Sequence, residues 1–101
     1  MKYEIDKQKD QTIFKLESKV LDHSIAADFK TELIFLQREI DNQFIIDLEQ
    51  VTKVDSSGLS CLLLAERLER EKNKKLILQN IHKGVLDIMK IARLDTVFDI
   101  K

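Results

Sequence analysis

Two kinds of apolar pattern alternate along the chain, and together they lay out one α/β unit. Tyr3 and Ile5, then Ile13, Phe14 and Leu16, read as two short strands joined by a polar turn around Lys9-Asp10-Gln11. Ile25, Phe29, Leu33, Leu36 and Ile40 recur at spacings of three and four, the stripe of an amphipathic helix that Asp22 or Ser24 can cap and that runs to about Asp41. Phe44-Ile45-Ile46-Asp47-Leu48 is a nearly continuous apolar run, the pattern of a parallel strand covered on both faces. A polar turn leads into a second helix from about Ser56 to Lys72, expected to turn Leu59, Leu62, Leu63 and Leu68 inward. Leu76-Ile77-Leu78 is another buried strand. Val85, Ile88, Met89 and Ala92 mark a third amphipathic helix, and Val97-Phe98 with Ile100 a last edge strand. The order β-β-α-β-α-β-α-β predicts a hairpin start, parallel strands joined by right-handed crossovers, and helices covering the sheet.

Composition narrows this picture. With 101 residues, no proline, two glycines and no low-complexity stretch, nothing marks a linker, and residues 1–101 read as one domain. The 17 basic and 18 acidic residues nearly cancel, which removes the basic footprint expected of a nucleic-acid or anionic-membrane binder. Cys61 is the single cysteine, so no internal disulfide can form, and its apolar neighbours favour a buried, inert thiol. No apolar run approaches the ~20 residues that span a bilayer, and the first residues do not read as a signal peptide. A cytoplasmic, monomeric protein is the expectation.

The candidate chemistry gathers at Asp55-Ser56-Ser57-Gly58-Leu59, in the loop that follows the Phe44–Leu48 strand. In open α/β sheets, ligands and partners meet the loops leaving the carboxyl ends of strands. Asp55 is a strong N-cap, and Ser56 and Ser57 follow as the first helical residues beside unpaired amides and the positive end of the helix dipole. Gly58 costs about 1 kcal/mol relative to alanine inside a helix, which a close approach by another backbone or by a partner would account for. A simple helix cap accounts for Asp55-Ser56 as well. A phosphate on such a serine adds about −1.5 to −2 charges to the surface. Competing chemistries lack their parts. A serine hydrolase needs a base, only His23 and His82 are available, and no G-x-S-x-G elbow is present. Asp6, Asp10, Asp22, Asp47 and Asp55 have no metal-site spacing, and two isolated glycines make no phosphate cradle, so neither metal nor cofactor is expected.

Phe44 to Leu59 resembles the signature of STAS domains, and more closely that of bacterial anti-sigma factor antagonists: a strand of the type V-L-D/N-L, a short polar loop, then D-S-S/T-G-L opening a helix. Leu21-Asp22-His23-Ser24 with Ala26-Ala27 is similar to the family's segment leading into the first helix, and Ile91 to Phe98 to its closing L-D-x-V-F segment. The resemblance implies a single STAS domain with a four- to five-stranded mixed sheet, an N-terminal hairpin and covering helices. It also implies a non-enzymatic partner switch. The unmodified protein binds an anti-sigma factor that is a serine kinase of the GHKL type, which frees a sigma factor; phosphorylation of the serine after the motif aspartate blocks binding, and a PP2C-type phosphatase reverses it. By position that serine is Ser56, with Ser57 second, and Asp22, Asp55, Ser56, Ser57, Gly58 and Leu59 make the partner surface. Lys19 stands where many members have glycine, Lys83 where a proline commonly opens the third helix, and the chain stops just after the last strand. Stand-alone STAS domains also act as accessory subunits that bind the ATPase of membrane transport systems, and this is the alternative.

Overall fold

The computed structural model describes all 101 residues. Strands β1 (Tyr3–Lys7) and β2 (Gln11–Leu16) form the antiparallel hairpin, closed where the Gln8 amide donates to the Gln11 carbonyl at 2.8 Å. Next come β3 (Val20–Leu21), α1 (His23–Glu39), β4 (Gln43–Asp47), β5 (Lys53–Val54), α2 (Ser56–Arg70), β6 (Ile77–Gln79), α3 (Lys83–Ile91) and β7 (Asp99–Ile100). The main sheet has the order β1-β2-β4-β6-β7, with every pair after the hairpin parallel. The mixed sheet, the hairpin start and the three crossover helices follow the order read from the sequence.

Side-chain alternation divides the sheet into two unlike faces. Phe14 and Leu16 of β2, Phe44 and Ile46 of β4 and Leu78 of β6 join one buried cluster with Phe29 and Leu33 of α1, Cys61 and Leu62 of α2, and Val85 and Met89 of α3. All three helices therefore bury against the same face. Ile13, Ile45 and Ile77 form a row across the opposite face, and Ile45 is buried there yet lies outside that cluster. The continuous apolar run of β4 is thus buried throughout, but helices cover only one side of it. The reason is topological: each crossover has the same hand, so consecutive helices return to the same side of the sheet when the strands are added in one direction.

Three sequence expectations change at the level of single residues. Leu63 is turned out to solvent, because the inward face of α2 is Gly58, Cys61, Leu62, Ala65 and Glu69. The small residues Cys61 and Ala65 let α1 and α2 lie close together: the Cys61 thiol reaches the Ala26 carbonyl at 3.5 Å and the Gln37 amide the Ala65 carbonyl at 2.9 Å. Glu69 is fully buried, hydrogen-bonded by the Gln37 side-chain amide at 2.9 Å and 3.4 Å from the Lys72 ammonium. Lys72 also donates to the Gln37 and Ile40 carbonyls, which are among the unpaired acceptors at the end of α1. On α3, Ile88 is 40% exposed and Ala92 is exposed too, so only Val85 and Met89 face the core.

Candidate functional site

The site is built where two helix starts are brought side by side. Asp47, at the end of β4, is nearly buried and accepts from the Glu49 amide at 2.9 Å and from the Gln79 and Asn80 side-chain amides at 3.0 Å each. That fixes the bend by which the chain leaves the main sheet. The next segment is pinned by a two-stranded parallel sheet of β3 and β5, which the apolar periodicity did not reveal. The Lys19 carbonyl accepts the Thr52 amide at 2.8 Å and the Lys53 amide at 3.2 Å, and the Leu21 carbonyl accepts the Asp55 amide at 3.2 Å. Lys19 acts here through its backbone and has no positive φ, so its position in this chain makes no demand for glycine.

The small sheet sets Asp22, the N-cap of α1, next to Asp55, the N-cap of α2. Asp22 Oδ1 accepts from the Ser24 amide at 2.9 Å. Asp55 serves both helices: Oδ1 accepts from the Gly58 amide at 2.9 Å, and Oδ2 accepts from the His23 amide at 3.1 Å. One carboxylate thus satisfies an orphan amide at each of two helix N-termini. The Gly58 amide, and then the His23 groups, hold the Asp55 carboxyl below the usual carboxylate range. The hydroxyl and amide of Ser24 do the same for Asp22. Both residues are therefore anionic wherever the protein is folded near neutral pH.

Ser56, the first residue of α2, is exposed beside these carboxylates, and Ser57 is half-buried. Gly58 is different. It is buried, and a Cβ built on it would lie 2.2 Å from the Leu21 carbonyl oxygen. Its absence of a side chain serves the contact between α2 and β3, which places Gly58 behind the exposed Ser56. Leu59 is partly buried against the core cluster. Of the six residues expected at the contact surface, the fold brings Asp22, Asp55, Ser56 and Ser57 together on one partly exposed ridge, buries Gly58 and half-buries Leu59.

The histidines do not complete a catalytic set. His23 is largely exposed, and its Nδ1 lies 3.6 Å from Asp55 Oδ2, but its ring hydrogen-bonds neither Ser56 nor Ser57. His82 caps the start of α3 by position, and its Nε2 is hydrogen-bonded with the Glu49 carbonyl. Nor do three or more His, Cys, Asp or Glu side chains converge as a metal site.

A mixed sheet with all helices on one face and a D-S-S-G-L turn at a pair of helix starts is the arrangement to compare with known folds. Residues 4–100 match the family model described as Mlab, STAS domain, and the chain belongs to the STAS domain family. Solved structures agree. A serine-to-glutamate variant of RsbS from Moorella thermoacetica superposes with a TM-score of 0.81 at 22% identity, over 100% of this chain and 86% of its own. The anti-sigma factor antagonist SpoIIAA in its unphosphorylated form gives 0.80 at 17% identity, over 99% and 88%. The Bacillus protein in its phosphorylated form gives 0.73 at 16%, over 99% and 91%. A sulfate transporter family protein from Wolinella succinogenes gives 0.75 at 14%, over 87% of this chain and 73% of its own. These likenesses establish the fold.

Proposed function

We propose that this protein is an anti-sigma factor antagonist whose binding to its partner is switched by phosphorylation of Ser56. The observation that carries the proposal is the placement of Ser56: an exposed hydroxyl on the first turn of α2, directly after an aspartate that ties two helix starts together. The dipole and remaining amides of the helix start favour a phosphate locally, while the Asp55 and Asp22 carboxylates oppose it. The larger effect falls on the partner. A dianion in a packed interface must be desolvated or must displace the opposing surface, and a loss of about 3–4 kcal/mol weakens binding by two to three powers of ten. The unmodified ridge of Asp22, Asp55, Ser56 and Ser57 binds a GHKL-type serine kinase that acts as the anti-sigma factor, and a PP2C-type phosphatase restores the binding form. That SpoIIAA, which shares this fold, is known in both phosphorylated and unphosphorylated forms supports the reading.

A second reading is supported by the Mlab-type family model and by the transporter-family neighbour: an accessory subunit that binds the ATPase of a membrane transport system, without obligatory phosphorylation. The test separates the two. Incubation with the cognate kinase and ATP should place phosphate on Ser56 by mass spectrometry. Ser56→Asp should bind the kinase at least a hundredfold more weakly than wild type, and Ser56→Ala should bind and resist control. Equal affinity of wild type and Ser56→Asp, with no phosphate anywhere on the turn, decides for the transport subunit.

A further inference from the structure

A groove of about 630 Å³ runs along the outward side of α2, floored by Leu63, Leu64 and Val97 and bordered by Lys30, Arg67 and Arg70. Its lining charges do not cancel as they do over the chain as a whole. Three cations face one carboxylate, Glu66, and that carboxylate is already 3.8 Å from Arg70. Lys30 and Arg67 make no ion pair, so the lining keeps a net positive charge. Leu63, 36% exposed, lies between these unpaired cations as an apolar anchor point. The groove lies along the helix that Ser56 opens. Ser60 lines its near end and stands one helical turn beyond Ser56, and Leu63, Arg67 and Arg70 follow on the same side of α2 at spacings of three and four. From Ser60 to Arg70 the helix rises about 15 Å, the length of roughly three turns of an opposing helix.

We infer that this groove receives an acidic amphipathic helix of the protein partner, its apolar residues on Leu63, Leu64 and Val97 and its carboxylates on Lys30, Arg67 and Arg70. The inference deepens the partner-binding reading and rests on it: the turn carries the switch, and the groove carries the contact area that the turn is too small to supply. Uncompensated cations around an apolar floor select against basic partners and speed the encounter with acidic ones.

The probe is a helix-forming peptide of about four turns with leucines at helical spacing and glutamates on the flanks, titrated into the ¹⁵N-labelled protein and followed by amide chemical shifts. A second peptide carries lysine in place of every glutamate. The glutamate peptide should shift the amides from Ser60 to Arg70 and around Lys30 and Val97, and its affinity should fall with added salt. The Lys30→Glu/Arg67→Glu variant should bind it about tenfold more weakly or worse, and should gain affinity for the lysine peptide. Arg67 is exposed and Lys30 half-buried, and unchanged thermal melting checks that the variant is folded. The inference is overturned by equal binding of the two peptides, by shifts confined to the Ile13–Ile45–Ile77 face, by the same shifts arising from self-association on concentration, or by retention on anionic phosphatidylglycerol vesicles without peptide binding. None of these readouts involves phosphate on Ser56, so a failed groove leaves the switch standing, and an unmodified turn beside intact peptide binding removes the switch alone.

Discussion

Replacing Gly58 with alanine sets two effects of known size against each other. In an ordinary helix the change is favourable by about 1 kcal/mol, since alanine loses less backbone freedom. Here the added methyl would meet the Leu21 carbonyl oxygen at 2.2 Å, the Leu21 carbonyl carbon at 2.9 Å and Cγ of the same residue at 2.8 Å. A carbon and an oxygen in contact stand more than 3 Å apart, so about 1 Å of separation is missing. The nearest atom is backbone, so no rotamer change relieves it. Moving α2 away stretches the bond from the Asp55 amide to the same Leu21 carbonyl, and with it the caps that Asp55 places on both helices. Overpacking of this kind costs about 1–3 kcal/mol beyond the helix gain, or more where backbone must shift. Gly58→Ala should therefore melt roughly 5–15 °C below wild type in a domain of this size. Gly84→Ala is the internal control: it also lies in a helix, a Cβ there meets nothing within 4 Å, and it should be neutral or raise the melting temperature. Thermal denaturation followed by circular dichroism measures both. A Gly58→Ala protein as stable as wild type, or moved in the same direction as Gly84→Ala, would refute the close-approach account.

Other consequences are open to direct measurement. Asp55 and Asp22 carry carboxyls held below the usual range, so the stability they add is present above the ordinary value of 3.8 and is lost as pH falls through their lower folded values. Asp55→Asn should lower the urea midpoint at pH 7, and the difference from wild type should shrink as the pH falls below 3.8; a difference undiminished in acid would contradict it. Glu69→Ala removes one acceptor from the Gln37 amide, which keeps the Ala65 carbonyl, and the carboxylate beside Lys72, which keeps the Gln37 and Ile40 carbonyls, and should cost about 1–3 kcal/mol in urea unfolding. A loss below about 1 kcal/mol would show that the cluster contributes little. Burial pushes the Cys61 thiol up, so it should react with a disulfide reagent only once urea unfolds the protein, and fast labelling of the native state would count against the packed α1–α2 contact.

Much of the architecture was legible because its elements are long enough to show a period. The stripe of α1 and the apolar run of β4 each span several residues, and the order of strands and helices followed from them. The features that build the site were less so. β3 and β5 are two residues each, too short for any alternation, and they exist because Lys19 and Leu21 lie alongside Thr52–Asp55 in space. Five leucines between Leu59 and Leu68 could not all face inward, and hydrophobicity alone does not say which face α1 will cover. The answer lies in small residues, Cys61 and Ala65, whose value is close approach rather than apolar area. The Asp55-Ser56 cap was readable from local chemistry. That the same carboxylate also caps α1 was not, since it depends on the pairing of distant segments. The Lys30 and Arg67 groove was hidden for the same reason, being shared between two helices.

The parallel register of the sheet also bears on how the protein reaches its native state. Ile13, Ile45 and Ile77 are neighbours across β2, β4 and β6, yet each is separated from the next by about a third of the chain. Only the β1–β2 hairpin can form from nearby residues. β4 finds its two partners only after both the α1 and α2 crossovers have closed, so the entropy of two long loops is spent before the central strand is held. Folding should accordingly run on the millisecond scale or slower rather than in microseconds. The amides of β4 should then be the last to exchange, because releasing them requires undoing both crossovers at once.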